Sequence, residues 1–428
     1  MNPEPNQPAK PAAVRGEQLV LWVLWLTYGS FYFCRANLSV AVPGIRAEFN
    51  FTKAELGWVL MALKLAYGIG QFVNGQLAER ISPRRLLAIG LLASAGLNVL
   101  FGFATSLYFM IFLWACNGYV QALGWPPTMR VTANWFPLTR HGRAIGVIGT
   151  GYQLCGALTF FLSGWAAERF GWRGVLFVPS ALLVASAIHM WIFLEERPAS
   201  EREKNPTAPT VSTKPCASLG ENILITLGNP SLWVVAIALW LLDACRYGFS
   251  DWGVTHLKEV QNASVSTAAF KYAVLPLGGI AGTLISGWIT DRFFTGRRVP
   301  VTVMMLLALG VLAITYDTVL HWGLIASVVV LFFIGFCIYG SQVLLVGTLP
   351  VDLARRGTAA AAAGFVNFMG YMGAAGGDVL TGQIAEKHGW TFAVRFWAGC
   401  AFAAALVIAC IWSKEHHLRT AAKNSNAG

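Results

Sequence analysis

Gly75-Gln-Leu-Ala-Glu-Arg80, followed by Arg84-Arg85, returns 212 residues later as Gly287-Trp-Ile-Thr-Asp-Arg292, followed by Arg297-Arg298. Two further pairs keep the same order and nearly the same offset. Arg140-His-Gly142 returns as Arg355-Arg-Gly357 after 215 residues, and Gly164-Trp-Ala-Ala-Glu-Arg-Phe-Gly-Trp172 returns as Gly382-Gln-Ile-Ala-Glu-Lys-His-Gly-Trp390 after 218. Chance does not hold a register across a whole chain, so the sequence reads as two homologous halves. In the first pair the glycine allows close helix approach. Its neighbours Glu79 and Arg80, or Asp291 and Arg292, are candidates for a conformational latch, the acid pairing with basic residues at the ends of neighbouring spans. A plain basic loop explains the arginines but not the repeated glycine and acid.

The stretches around these loops are apolar. With 428 residues, 56% hydrophobic and 12% charged, and a mean hydropathy of +0.57, the chain carries too much apolar side chain for one water-soluble core. Runs of about 20 residues match the ~30 Å of hydrocarbon that a helix must cross. Twelve spans are expected, beginning near Leu19, Leu56, Leu86, Leu107, Ala144, Val175, Leu232, Ala268, Val301, Leu324, Ala359 and Phe392. They lack the alternation of barrel strands, so the expected fold class is an all-α membrane protein. Of 31 Lys and Arg, 20 fall in the tails and the even-to-odd loops, 8 in the opposite loops and 3 inside spans. This bias accounts for the net charge of +11 by topology, puts both termini in the cytoplasm, and makes the lipid bilayer rather than nucleic acid the partner.

One long polar connection, from Glu195 to about Ser231, separates six spans from six. The expected organisation is a cytoplasmic tail 1–18, a six-helix half 19–195, a flexible linker 196–230, a second half 231–413 and a tail 414–428. No cleavable signal is read at the N-terminus. Seven of eight cysteines lie in spans and read as small buried hydrophobes, with Cys216 in the linker. No metal spacing, cofactor motif, or nucleophile with a base is found, so no enzyme is expected.

A charge at the centre of a span costs about 2.5–3.5 kcal/mol even on the lenient insertion scale, so each such residue needs a partner or a task. Five stand out: Arg35, Lys64, Asp243, Arg246 and Asp378. Arg35 and Arg246 are 211 residues apart, within the repeat register, and each follows a cysteine. Symmetry-related first helices line the central cavity of a two-half transporter, so each half would present one guanidinium to the same space. Their flat forks suit bidentate contact with phosphate or carboxylate oxygens. A simpler account pairs Arg246 with Asp243 and Arg35 with Asp378. Lys64 reads equally as a third cationic contact or as the partner of an acid. Tyr28, Tyr32, Tyr67, Gln121 and Trp125 are spaced near the arginines with groups that hydrogen-bond an oxyanion. Pro126 and Pro127 bend or end span 4. The Ala359 to Gly377 run suits close, sliding contact.

Tyr32-Phe-Cys-Arg-Ala-Asn, Gly124-Trp-Pro-Pro, Arg246-Tyr-Gly-Phe-Ser-Asp-Trp, Ile338-Tyr-Gly and Ala363-Gly-Phe resemble the organophosphate:phosphate antiporter family of the major facilitator superfamily. The resemblance implies twelve helices in two pseudo-symmetric halves, and a bacterial inner-membrane carrier, functional as a monomer, of a sugar phosphate, glycerol phosphate or phosphonate. It implies alternating access with exchange for inorganic phosphate. By similarity Arg35 and Arg246 hold the phosphoryl group, with Tyr28, Tyr32, Tyr67, Gln121, Trp125, Tyr339 and Tyr371 at other cavity positions. Departures are visible: Tyr152 replaces a span 5 histidine, Gln71 a span 2 lysine, Asp243 a tyrosine, and Ala36 a lysine after the first arginine. Asp243 and Asp378 become charge-balancing or coupling residues. Arg35, Arg246 and Lys64 against Asp243 and Asp378 give a site near +1, which fits a less anionic cargo or one carrying its own ammonium. A carboxylate symporter and a membrane sensor of sugar phosphate are the alternative functions.

Overall fold

The computed structural model describes residues 11–198, 224–354 and 359–413. Every regular element among them is helical. Span 1 is α1 (Pro11–Ser30) and α2 (Leu38–Phe49), span 2 is α3 (Lys53–Arg80), span 3 is α4 (Pro83–Gly102), and span 4 is α5 (Leu107–Gln121) with α6 (Trp125–Trp135). Spans 5 and 6 share one long element, α7 (Leu138–Phe193). In the second half, span 7 is α8 (Pro230–Gln261), span 8 is α9 (Val265–Tyr272) with α10 (Val274–Phe293), and span 9 is α11 (Val299–Leu320). Span 10 is α12 (Leu324–Val343) continuing through a π turn into α13 (Leu349–Leu353); spans 11 and 12 are α14 (Ala359–Lys387) and α15 (Trp390–Ala409).

Among the described residues, 10 helical stretches are long and apolar enough to cross a membrane. The 54-residue Arg140–Phe193 stretch holds two of the spans, because Gly171, at φ 67° and ψ −172°, breaks it in a region of backbone space open essentially to glycine alone. With α14 this makes twelve.

Local chemistry sets several boundaries. Thr52 and Glu55 form a reciprocal capping box at the start of α3. Ser82 caps α4 with Pro83 in the first turn, and Ser264 caps α9. Pro126 and Pro127 open α6, and the bend of span 4 lies just before them, between Gln121 and Trp125. The N-terminal side departs from expectation: the chain is already helical at Pro11, so α1 reaches into the tail assigned to 1–18. Residues 1–10, most of the linker with Cys216, Arg355–Gly357 and the tail 414–428 lie outside the described residues. Cys410 falls past the end of α15 and is exposed, and Cys116 is half-buried, unlike the buried Cys34, Cys155, Cys245, Cys337 and Cys400.

The halves meet where α3 packs on α14, α2 on α8, and α7 on α9 and α10. Within the second half α14 lies against α8 through Gly370, Gly373 and Gly377, where a Cβ would meet Leu239, Trp240 and Ala244 respectively. Twelve crossings leave the start of α1 and the end of α15 at one face of the bundle; the Asn50 and His388 turns define the far face.

Candidate functional site

Arg35 projects from a break in span 1. Phe31–Cys34 form a single tight turn between α1 and α2, with the Arg35 N–H bonded to the Tyr32 carbonyl at 3.2 Å. Such a break in lipid demands partners for the freed backbone. Buried amides provide them: the Cys34 carbonyl accepts from Asn117 Nδ2 at 2.9 Å, Asn98 Nδ2 at 3.3 Å and Gln121 Nε2 at 3.4 Å. Gln121 Nε2 also donates to the Phe31 carbonyl at 3.0 Å, and its Oε1 accepts from Arg35 Nε at 3.3 Å. The guanidinium lies over the rings of Tyr67, at 4.2 Å, and Tyr32, at 4.9 Å.

Arg246 comes from the unbroken α8. Asp243, one turn earlier, stands 3.5 Å from its Nη1, and the rings of Tyr247 and Tyr339 lie 4.7 and 4.9 Å from its guanidinium carbon. Both arginines line one small cavity between the halves, of about 50 Å³, shared with Tyr32, Tyr152, Tyr247 and Tyr339. Arg35 Nη2 and Arg246 Nε are buried N–H groups without a hydrogen-bond partner. Two guanidinium groups, one from each half, therefore reach one space with donors to spare, the arrangement that an oxyanion satisfies.

Of the residues expected at the site, Tyr32, Arg35, Lys64, Tyr152, Arg246 and Tyr339 line this cavity. The others stand a layer behind its wall. Tyr67 and Gln121 hold Arg35, Tyr371 packs on Tyr67 at 4.7 Å, and Trp125 packs on Tyr28 at 4.8 Å, which in turn meets Tyr152 at 6.1 Å. Gln121, at the end of α5, reaches the span 1 break and Arg35, while Tyr28 on α1 packs toward Tyr152.

Lys64 is not a free third cation. It pairs across the halves with Asp251 and, at 2.6 Å, with Asp378, which removes the pairing of Arg35 with Asp378. Asp251 changes the charge count: three cations face three carboxylates, Asp243, Asp251 and Asp378, so the formal charge is zero rather than +1. Asp251 and Tyr247 were not among the expected site residues, although both lie in the Arg246–Trp252 segment. Their signal was the helical spacing, since Asp243, Tyr247 and Asp251 follow one another at intervals of four residues and so share one face of the span.

At the loops, Asp291 pairs with Arg298 at 3.1 Å, while Arg80 and Arg292 are exposed. The side chain of Glu79 lies outside the described residues. The α3–α4 corner is held by Glu196, which accepts from Ser82 Oγ and, at 3.0 Å, from the Arg84 N–H. Among the described residues no group of His, Cys, Asp or Glu is placed to hold a metal ion.

The profile of the Major Facilitator Superfamily matches residues 24–378. A probable hexose phosphate transport protein of Chlamydia trachomatis is 29% identical, the match covering 94% of this chain and 92% of that one. A glycerol-3-phosphate transporter of Haemophilus influenzae is 30% identical over 86% of this chain and 85% of its own length. Among solved structures, a bacterial homologue of the human lysosomal transporter Spinster superposes with a TM-score of 0.73 at 16% identity, covering 96% of this chain and 98% of that one.

Proposed function

The chain belongs to the major facilitator superfamily, as a member of its organophosphate:phosphate antiporter family, and on that premise we propose that it carries a small phosphorylated organic anion across the membrane by alternating access. It is an integral membrane protein and not an enzyme. The observation that carries the reading is the pair Arg35 and Arg246, one guanidinium from each half, on one cavity with unpartnered buried N–H groups. The phosphoryl oxygens bridge the two forks, and the tyrosines around them take the organic part. Sugar phosphates, glycerol phosphate and phosphonates are the cargo class, and inorganic phosphate is the exchange partner. The bias of basic residues supports both termini inside, the bacterial relatives support an inner-membrane protein, and the enclosure of the cavity within one chain supports a functional monomer.

Binding drives the rocking because an anion that touches both halves is held better in a closed state than in either open one. Thermal stabilisation of the purified protein tests the reading. Inorganic phosphate and a panel of phosphate esters raise the melting temperature of the wild type, and Arg35→Ala and Arg246→Ala each abolish the rise while remaining folded. Stabilisation by sugar acids that phosphate does not compete away overturns it in favour of a carboxylate carrier. Ligand stabilisation without flux in liposomes overturns transport in favour of sensing.

A further inference from the structure

Among the described residues, the ion pairs that join the two halves are Arg46–Glu259, Lys53–Glu259, Lys64–Asp251 and Lys64–Asp378. The first two close the far face near the ends of α2 and α8. The last two lie deeper. There a single ammonium from α3 meets two carboxylates from α8 and α14, with side-chain exposures of 4% for Lys64, 12% for Asp251 and 0% for Asp378. Asp378 Oδ1 is buried without a partner of its own. The cluster thus holds one carboxylate more than it has cations, with Lys64 and Asp251 on the cavity wall and Asp378 buried behind them.

The groups around it do not supply the missing charge. From α8, Tyr247 presents its ring to Lys64 at 4.9 Å, while Arg246 is occupied by Asp243. From α14 and α3, Tyr371 and Tyr67 are stacked on each other and under Arg35, and α15 contributes Trp397, whose indole donates to Thr381. Lys53 belongs to Glu259, and Glu386 accepts from the Lys53 backbone N–H.

The two carboxylates share a half; the lysine belongs to the other. We propose that Asp251 and Asp378 form a proton site emptied and filled by the movement of Lys64, and that the carrier therefore moves a proton with its anion. When the halves part at the far face, Lys64 withdraws with α3 and leaves two neighbouring carboxylates on the second half. Like charges so close do not both stay ionised, so one carboxylate takes a proton from water at the far face. When the far face closes, Lys64 returns, its ammonium takes over the charge, and the proton leaves into the cavity and out by the face of the chain ends. No electron or covalent bond changes hands. The net-zero site agrees with this, because an anion entering it brings charge that no fixed cation offsets.

This inference rests on the phosphate-carrier reading, and the two fail differently. Full-length protein in liposomes is assayed in two arms: exchange of radiolabelled phosphate against internal phosphate at equal pH, and net uptake into phosphate-free liposomes under an imposed acid-outside gradient. The wild type is expected to exchange, and to show net uptake that the gradient accelerates. In Asp378→Asn, whose side chain does not line the cavity, exchange persists while the gradient-driven component falls about tenfold, the factor of one unit in proton activity. Asp251→Asn is expected to lose the gradient-driven component too, but because Asp251 lines the cavity the test of persisting exchange rests on Asp378→Asn alone. Both variants keep one carboxylate against Lys64, so their melting temperatures are expected at or above that of the wild type. Brisk exchange with gradient-independent uptake, or an Asp378→Asn variant that keeps its gradient response, overturns the proton site. Absence of phosphate exchange in the wild type overturns the anion reading and this inference with it.

Discussion

Arg35 shows why residue type matters more than charge at this site. Its guanidinium is held flat between Tyr32 and Tyr67, and its Nε is engaged by Gln121, so the remaining Nη2 points its hydrogens at a defined place. Lysine keeps the charge but not the fork. Arg35→Lys, and equally Arg246→Lys, is expected to weaken phosphate binding about tenfold or more, a loss of ~1.4 kcal/mol or greater; unchanged affinity by calorimetry would show that only charge is read. Gln121 acts through Arg35 and the span 1 break. Gln121→Leu strips partners from Arg35 Nε, the Phe31 carbonyl and Ser94 Oγ, and is expected to cost about 1–3 kcal/mol of stability in chemical denaturation. The two arginines were legible in the sequence because a charge in a span is expensive and the repeat register paired them. The Lys64 partners were only half legible. Asp378 was visible as a lone acid, whereas Asp251 closes a 20-residue span counted from Leu232 and drew no notice, although α8 runs on to Gln261 and buries it.

At the scale of elements, the spans were legible to within a few residues because hydropathy and length decide them. The break in span 1 was not. Phe31–Asn37 contains neither proline nor glycine, and the cause lies in Asn98, Asn117 and Gln121 on other helices, which lower the cost of exposing the Cys34 carbonyl. The α8–α14 contact gives the opposite lesson, since its glycine run announced close packing. Which glycines carry it follows from geometry: a Cβ at Gly373 would run into the Trp240 backbone, while one at Gly376 meets nothing within 4 Å. Gly373→Ala is therefore expected to lose about 1–3 kcal/mol by overpacking. Gly376→Ala should be neutral or gain about 0.5–1 kcal/mol of helix propensity. Equal melting temperatures for the two variants would contradict the packing argument.

At the scale of the molecule, the two groups of six spans are tied at the far face by Glu259, which accepts from Arg46 and Lys53 of the first half and is held at 2.8 Å by the Trp390 indole of its own half. Weakening that tie shifts the balance toward a far-face-open form. In Glu259→Gln, spin labels at the exposed Asn50 and His388 turns should report a longer and broader distance distribution than in the wild type; an unchanged distribution would mean that Glu259 does not hold the halves together. The repeat made the two-half plan readable from the sequence, but not which face is closed, because that depends on contacts between residues more than two hundred positions apart. The central claim is that both guanidinium groups bind one phosphoryl group. A structure of the protein with bound inorganic phosphate tests it most directly: the account predicts phosphorus density between the halves within hydrogen-bonding reach of both Arg35 and Arg246, and phosphate bound to one arginine alone, or elsewhere in the protein, would contradict it.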